Sequence, residues 1–256
     1  YGIAKKPVIL AHNANSASVA AEIRMMYPNA RVLYIDNLEP SVRAVRMRQI
    51  ANDDWDVVVV PHSLIDRFSL TEDTLKAITA EEIAALEQEA LDAASEEGVP
   101  LSLKDMDDPD AMKKVRSATA KQLVHARNQI KKKIATMVMR SSKDGAIPFE
   151  ELGVDMVIVD EAHEFKKPPI TTKMKLRGLN TATSNKSIAL RFLTDYVKSQ
   201  NNGRGVHTFT GTPITNSLVE LWVMMKLLQP NLLLQKGLWH FDAWASVFTE
   251  QYQWPE

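Results

Sequence analysis

The chain contains no cysteine. That absence excludes a disulfide framework, a thiolate metal centre and a cysteine nucleophile, and it fits a cytoplasmic setting. No stretch approaches the roughly 18 uninterrupted apolar residues that a membrane-spanning helix needs. Tyr1-Gly2-Ile3-Ala4-Lys5-Lys6-Pro7 lacks the charged-then-apolar order of a secretory leader. Charge of one sign is missing as well: Lys+Arg 31 against Asp+Glu 32 gives −1, so net charge alone points to no polyanionic partner. What is present is ordinary for a folded protein, with 45% hydrophobic and 25% charged residues over 256. Wholly disordered and collagen-like chains are thereby excluded, and the length suits one large domain or two small ones.

The first third alternates short apolar runs with helical patterns. Val8-Ile9-Leu10 is followed by a polar segment at Asn13–Ser18 and a helical stretch to Met26, which Tyr27-Pro28-Asn29 stops. Val32–Ile35 is a second strand, residues 41–51 a second helix, and Val57–Val60 a continuous β-branched run. Such a run suits a strand covered on both faces, as in parallel sheets. Met156–Val159 is another, and Val206–Phe209 a weaker one. This alternation predicts an α/β fold with a parallel sheet flanked by helices.

Between Phe68 and Pro148 the composition changes. Residues 71–110 hold thirteen acids against two lysines, and residues 111–143 hold ten bases and no acid. Leu75, Ile78, Ile83, Leu86 and Ala90 follow a helical stripe, as do Leu123, Ile130, Ile134 and Met137. Two readings stand: an antiparallel helical hairpin whose arms neutralise one another, or a basic arm that lies along a phosphate backbone. Neither arm suits the core of the sheet, which makes 68–145 an insertion in a domain formed by 1–67 and 146–256. A second basic stretch runs from His163 to Arg204, with nine bases and two acids. It is either a solvated face or a polyanion-binding surface.

Asp160-Glu161-Ala162-His163 directly follows the apolar run Met156–Val159. The carboxyl ends of parallel strands form the ligand edge of an open α/β sheet. Two adjacent carboxylates there can divide nucleotide hydrolysis: Asp160 holding Mg²⁺ through water, Glu161 orienting and deprotonating the attacking water. A strand that merely ends in a polar turn is the plainer alternative. A zinc-protease helix is excluded, because it needs a second histidine four residues after His163 and that position is Lys167. Fifty residues beyond Asp160, Thr210-Gly211-Thr212-Pro213-Ile214-Thr215-Asn216 also follows a strand-like run. Its hydroxyls and backbone N–H groups suit a phosphate or the acidic motif. They suit equally a turn that caps the helix at 218–228. Five tryptophans admit base stacking, but Trp239, Trp244 and Trp254, spaced with Phe241, Phe248 and Tyr252, read better as a packed C-terminal helix.

DMVIVDEAHEFKKP at 155–168 and FTGTPITNSLVELWVMMKLLQP at 209–230 together resemble superfamily-two helicases and translocases of the DEAD/DEAH-box type, in the Swi/Snf-type branch. FEELGVDMVIVDEAHEFKKP, RGLNTATSNKS and GLWHFDAWASVFTEQY are similar to the motor region of large phage or mobile-element proteins that join such a motor to an adenine-type DNA methylase. The resemblance implies a RecA-like lobe with ATP and Mg²⁺ as cofactors and double-stranded DNA as partner. In it Asp160 and Glu161 would be the acidic pair, His163 the link to the next motif, and Thr210, Gly211 and Thr212 the coupling to DNA. Val8–Ala17 and Val57–Ser63 fall where phosphate-backbone contacts would lie, and Ser63 with Lys166, Lys167, Lys173, Lys175 and Arg177 would touch nucleic acid. The 256 residues contain no G-x-x-x-x-G-K-S/T phosphate loop, and Asn185-Lys186-Ser187 lacks its glycines. The resemblance therefore places that loop before Tyr1 and a second motor lobe after Glu256, in a cytoplasmic parent of a bacterial host or a phage. The fragment alone would then be inactive. A non-catalytic DNA- or protein-binding scaffold derived from a motor lobe is the alternative.

Overall fold

The structure, a computed structural model, describes residues 4–36, 39–144, 147–166, 172, 184–215 and 217–250. Its centre is a five-stranded, all-parallel sheet in the order β2-β3-β1-β4-β5. The strands are β1 (Pro7–Ala11), β2 (Val32–Tyr34), β3 (Val57–Pro61), β4 (Met156–Val159) and β5 (Val206–Thr208). β1 lies between β3 and β4, with Leu10 opposite both Val60 and Val159. The four valines of β3 are all buried, as a strand covered on both faces requires. Their side chains divide by the period of two: Val58 and Val60 join the main core, Val57 and Val59 a smaller cluster on the other face.

Helix α1 (Ser16–Met26) covers that smaller face, where Ala20 meets Ala11 and Val59. On the main face lie α2 (Pro40–Asn52), α3 (Glu72–Glu96), α5 (Ala118–Asp144) and α6 (Asn185–Gln200), with the short α4 (Pro109–Lys114) between the two long helices. Thr71 caps α3 by accepting the Thr74 N–H, and Glu72 and Asp73 occupy its first turn, where a carboxylate suits the helix dipole. Asp108 caps α4, with Pro109 at its first position. Gly205, entering β5 at φ 90°, is the one described glycine whose replacement meets backbone: a Cβ there would lie 2.8 Å from the Asp155 carbonyl oxygen. The chain ends in α7 (Val219–Leu228), α8 (Pro230–Gln235) and α9 (Phe241–Phe248), which enclose Trp222, Phe241 and Trp244 in a separate apolar cluster. Trp239 packs against that cluster, so these tryptophans serve packing; Trp254 lies outside the described residues.

Helices α3 and α5 run antiparallel: Glu97 meets Ser117 at 2.8 Å, and Glu87 meets Arg127 at 2.7 Å. The arms do neutralise each other in part, since Arg127 and Lys131 are each shared between Glu87 and Asp107. They are not set apart from the sheet, however. Leu75, Leu86 and Ala90 of α3 and Leu123, Ile130 and Met137 of α5 belong to the same apolar core as Val58 and Val60. Composition alone hid this, because each arm is apolar along one narrow stripe and charged elsewhere. No helix among the described residues is long and apolar enough to cross a membrane.

Candidate active site at the carboxyl edge of the sheet

Because all five strands are parallel, the segments that follow β1, β3, β4 and β5 emerge on one edge. His12–Ser16, His62–Arg67, Asp160–Phe165 and Phe209–Thr215 are thereby gathered there. The Asp160 N–H donates to the Leu10 carbonyl at 2.9 Å, which extends the ladder one residue past β4. Glu161 then turns sharply, at φ 48° and ψ 47°. A left-handed backbone is uncommon and costly for a residue other than glycine. The turn starts the short 3-10 helix Ala162–Phe165 and leaves the Glu161 side chain 40% exposed.

The acidic motif and the Thr-Gly-Thr turn meet. The Ala162 N–H donates to the Phe209 carbonyl at 3.0 Å. His163 Nδ1 lies 3.0 Å from Glu161 Oε2 and 3.3 Å from Thr210 Oγ1. The imidazole therefore stands between the carboxylate and the hydroxyl, 49 residues apart in sequence. Thr210 also accepts the Thr212 N–H at 3.1 Å, which closes the turn. A Cβ at Gly211 would meet nothing within 4 Å, so the protein's own packing does not demand glycine at that point.

Lys166 departs from expectation. Its side chain is 4% exposed, and its ammonium donates to the Thr212 carbonyl at 2.5 Å and to Glu220 at 3.1 Å. A buried, paired ammonium cannot contact a phosphate backbone; Lys166 instead ties the end of the acidic motif to the turn. Glu220 completes the tie by accepting the Thr215 N–H at 2.6 Å and its hydroxyl at 2.9 Å. Burial would raise the Glu220 carboxyl, but the Thr215 bonds and Lys166 outweigh it and hold it below the usual range. Ser63 stays on the edge, where its N–H donates to Asn13 Oδ1 at 3.0 Å and joins the segments after β1 and β3. Lys167, Lys173, Lys175 and Arg177 lie outside the described residues.

Two residues escaped the sequence reading. His62 is buried beneath the site, its Nε2–H donating to the Asp160 carbonyl at 2.9 Å and its ring edge-on to Phe165 at 4.7 Å. Burial lowers its pKa below the ordinary 6.5, only partly offset by that bond, so the imidazole is neutral at pH 7. Its position directly after the buried β3 run was the available signal. Glu220 offered less, being one acid in the first turn of an apolar helix.

Mg²⁺ needs few protein ligands and retains several waters. The Asp160 carboxylate, without a hydrogen-bond partner among the described residues, fits that donor set. No group of three or more metal-ligating side chains occurs among the described residues, so a site formed entirely by protein ligands is not found there.

A family model described as "Probable helicase domain" matches residues 1–253. The chain belongs to this helicase-domain family. No curated protein matches it. The family points to a helicase-related motor, with which the parallel sheet is consistent.

Proposed function

We propose that the chain is part of a DNA-dependent ATPase that translocates on or remodels duplex DNA, with Asp160 and Glu161 as its DEAH-type acidic pair. The observation that carries this is the contact of the two motifs: His163 lies 3.0 Å from Glu161 and 3.3 Å from Thr210 at the carboxyl edge of a parallel sheet. Asp160 would hold Mg²⁺ through water, and the ion would offset charge on the phosphates. Glu161, partly exposed and held by one histidine, takes the proton of the attacking water. His163 reports the state of that carboxylate to Thr210, and so to the turn that ends at Thr215. The phosphate-binding loop would arrive on a further parallel strand. β5 supports this, being bonded on one side only among the described residues and lining a groove of about 910 Å³. The Swi/Snf-type strings at 155–168 and 209–230 favour movement along duplex DNA over strand separation, in a parent that would carry a second lobe and could carry a methylase domain. Such a parent works in the cytoplasm.

The test is ATP hydrolysis by the full-length protein with and without duplex DNA. Turnover stimulated by duplex and lost in Glu161→Gln, with ATP binding retained, is the expected result. No turnover in either protein overturns the enzyme and leaves a DNA-binding scaffold.

A further inference from the structure

Most acids of α3 face solvent, but Glu82 is 10% exposed. It accepts from Arg191 of α6 and lies 3.4 Å from Lys226 of α7. Arg191 and Lys198 share Asp195, and Lys198 also donates to the Leu227 carbonyl at 2.7 Å. Asp195 is thus taken by two other cations, and among the described residues Glu82 is the one carboxylate paired with Lys226. On its other side Lys226 stands over the Trp239 ring at 3.9 Å and the Trp222 ring at 5.1 Å, faces that attract a cation but accept no proton.

Both ends of α7 are therefore gripped. Its first turn carries Glu220, which bonds Thr215 and Lys166; its last carries Lys226, which bonds the hairpin. A helix of this length moves as a rigid body, and six residues separate the two grips by about 9 Å. A second pair, the buried Lys133 with the partly exposed Asp66 at 2.5 Å, joins the hairpin's other arm to the segment after β3. The charged hairpin is fastened to two segments that lead to the sheet edge, not only to itself.

We propose that Glu82 is a positioning residue that couples the hairpin to the Thr210–Thr215 turn through Lys226 and α7. Loss of its charge leaves Lys226 buried without a carboxylate, a costly state that the helix relieves by shifting. The shift travels to Glu220 and displaces Thr215 and the Thr212 carbonyl held by Lys166. Movement of the hairpin, for instance by a ligand on its outer face, would reach the turn by the same path. This rests on the reading of the turn as part of an ATP site, and the experiment separates the two.

The test is amide NMR of the full-length protein carrying Glu82→Gln. Lys226→Met is the second variant; it leaves Glu82 bonded to Arg191 and decides the matter should the first fail to fold. Lys76→Ala, on the exposed face of α3, is the control. Both variants should move the Thr212 and Thr215 amide resonances and speed Thr215 exchange about tenfold, while Val58 and Val60 stay in place. Lys226→Arg, which keeps a cation over Trp239, should return Thr215 to its original position. Turn amides unmoved in both variants overturn the relay, as does a disturbance spread through β3. ATP turnover is read on the same samples, with kcat expected to fall about tenfold at unchanged KM. Wild-type turnover matched by both variants overturns the relay. Absence of turnover in the wild type overturns the proposed function instead, and Thr215 still decides the relay.

Discussion

At the amino end of α7, the acidic motif and the Thr210–Thr215 turn leave carboxylates and hydroxyls open to solvent. Glu161 is 40% exposed, held by one histidine and set on a left-handed backbone. At the carboxyl end, Glu82, Arg191, Asp195, Lys198 and Lys226 bond one another out of water. Both regions are polar, and both join segments distant in sequence. They differ in saturation. The buried group has used its bonding capacity on itself and can only hold helices together. The edge has kept some capacity in reserve, as a site that must accept a ligand and pass a proton requires. Strain points the same way, since Glu161 occupies a conformation that local energetics disfavour and function can justify.

Substitutions should separate the two regions by which quantity they change. After loss of Glu161 itself, Asp160→Asn has the largest expected effect: magnesium-dependent ATP turnover falls by about 10²–10³-fold while the thermal melt is unchanged. Retained turnover would remove Asp160 from the site.

Acid should act on the other region. Burial alone would raise the Glu82 carboxyl, but Arg191 and Lys226 outweigh it and hold it at about 2, below the ordinary 4.5. A carboxylate depressed in the folded state contributes stability that is full above its unfolded pKa and is lost as pH falls through the folded one. The window thus runs from about pH 4.5 down to about 2, and the difference of about 2.5 pH units corresponds to ~3 kcal/mol. Glu82→Gln should flatten the denaturation curve over that window; an unchanged acid limb would contradict the assignment.

Lys166→Met comes next. It breaks a buried pair, but Glu220 keeps its Thr215 bonds, so the expected loss is ~2 kcal/mol in denaturant titration. Because that ammonium is paired inside the protein, the salt dependence of DNA binding should not change. A shallower salt slope would mean that Lys166 contacts phosphate after all. Smallest is Lys113→Ala, which breaks a hairpin pair of 77% and 82% exposed side chains and should leave the melting temperature unchanged.

Much of the scaffold was legible because apolar runs report burial directly. The β-branched run of Val57–Val60, the stop at Tyr27-Pro28 and the two stripes of the hairpin each became the element that their pattern implied. The place of Asp160 and Glu161 at the carboxyl end of a strand was legible for the same reason, because Met156–Val159 is itself an apolar run. Charged residues were harder. Lys166 sits in a basic run and reads as solvated, yet it is buried; nothing local distinguishes it from Arg204 of the same run, which is exposed. Glu82 is separated from Arg191 by 109 residues and from Lys226 by 144, and no periodicity spans such distances. A charge's fate depends on which partner the fold brings to it, whereas an apolar residue needs only to be covered.

The contrast is tested most directly by measuring ATP turnover and melting temperature on one preparation of the full-length Glu161→Gln protein. Turnover should disappear, by about 10²–10⁴-fold, with the melting temperature unchanged, because Glu161 is partly exposed and, among the described residues, its side chain is paired with His163 alone. Retained turnover, or turnover and stability lost together, would contradict the assignment of the open edge to chemistry.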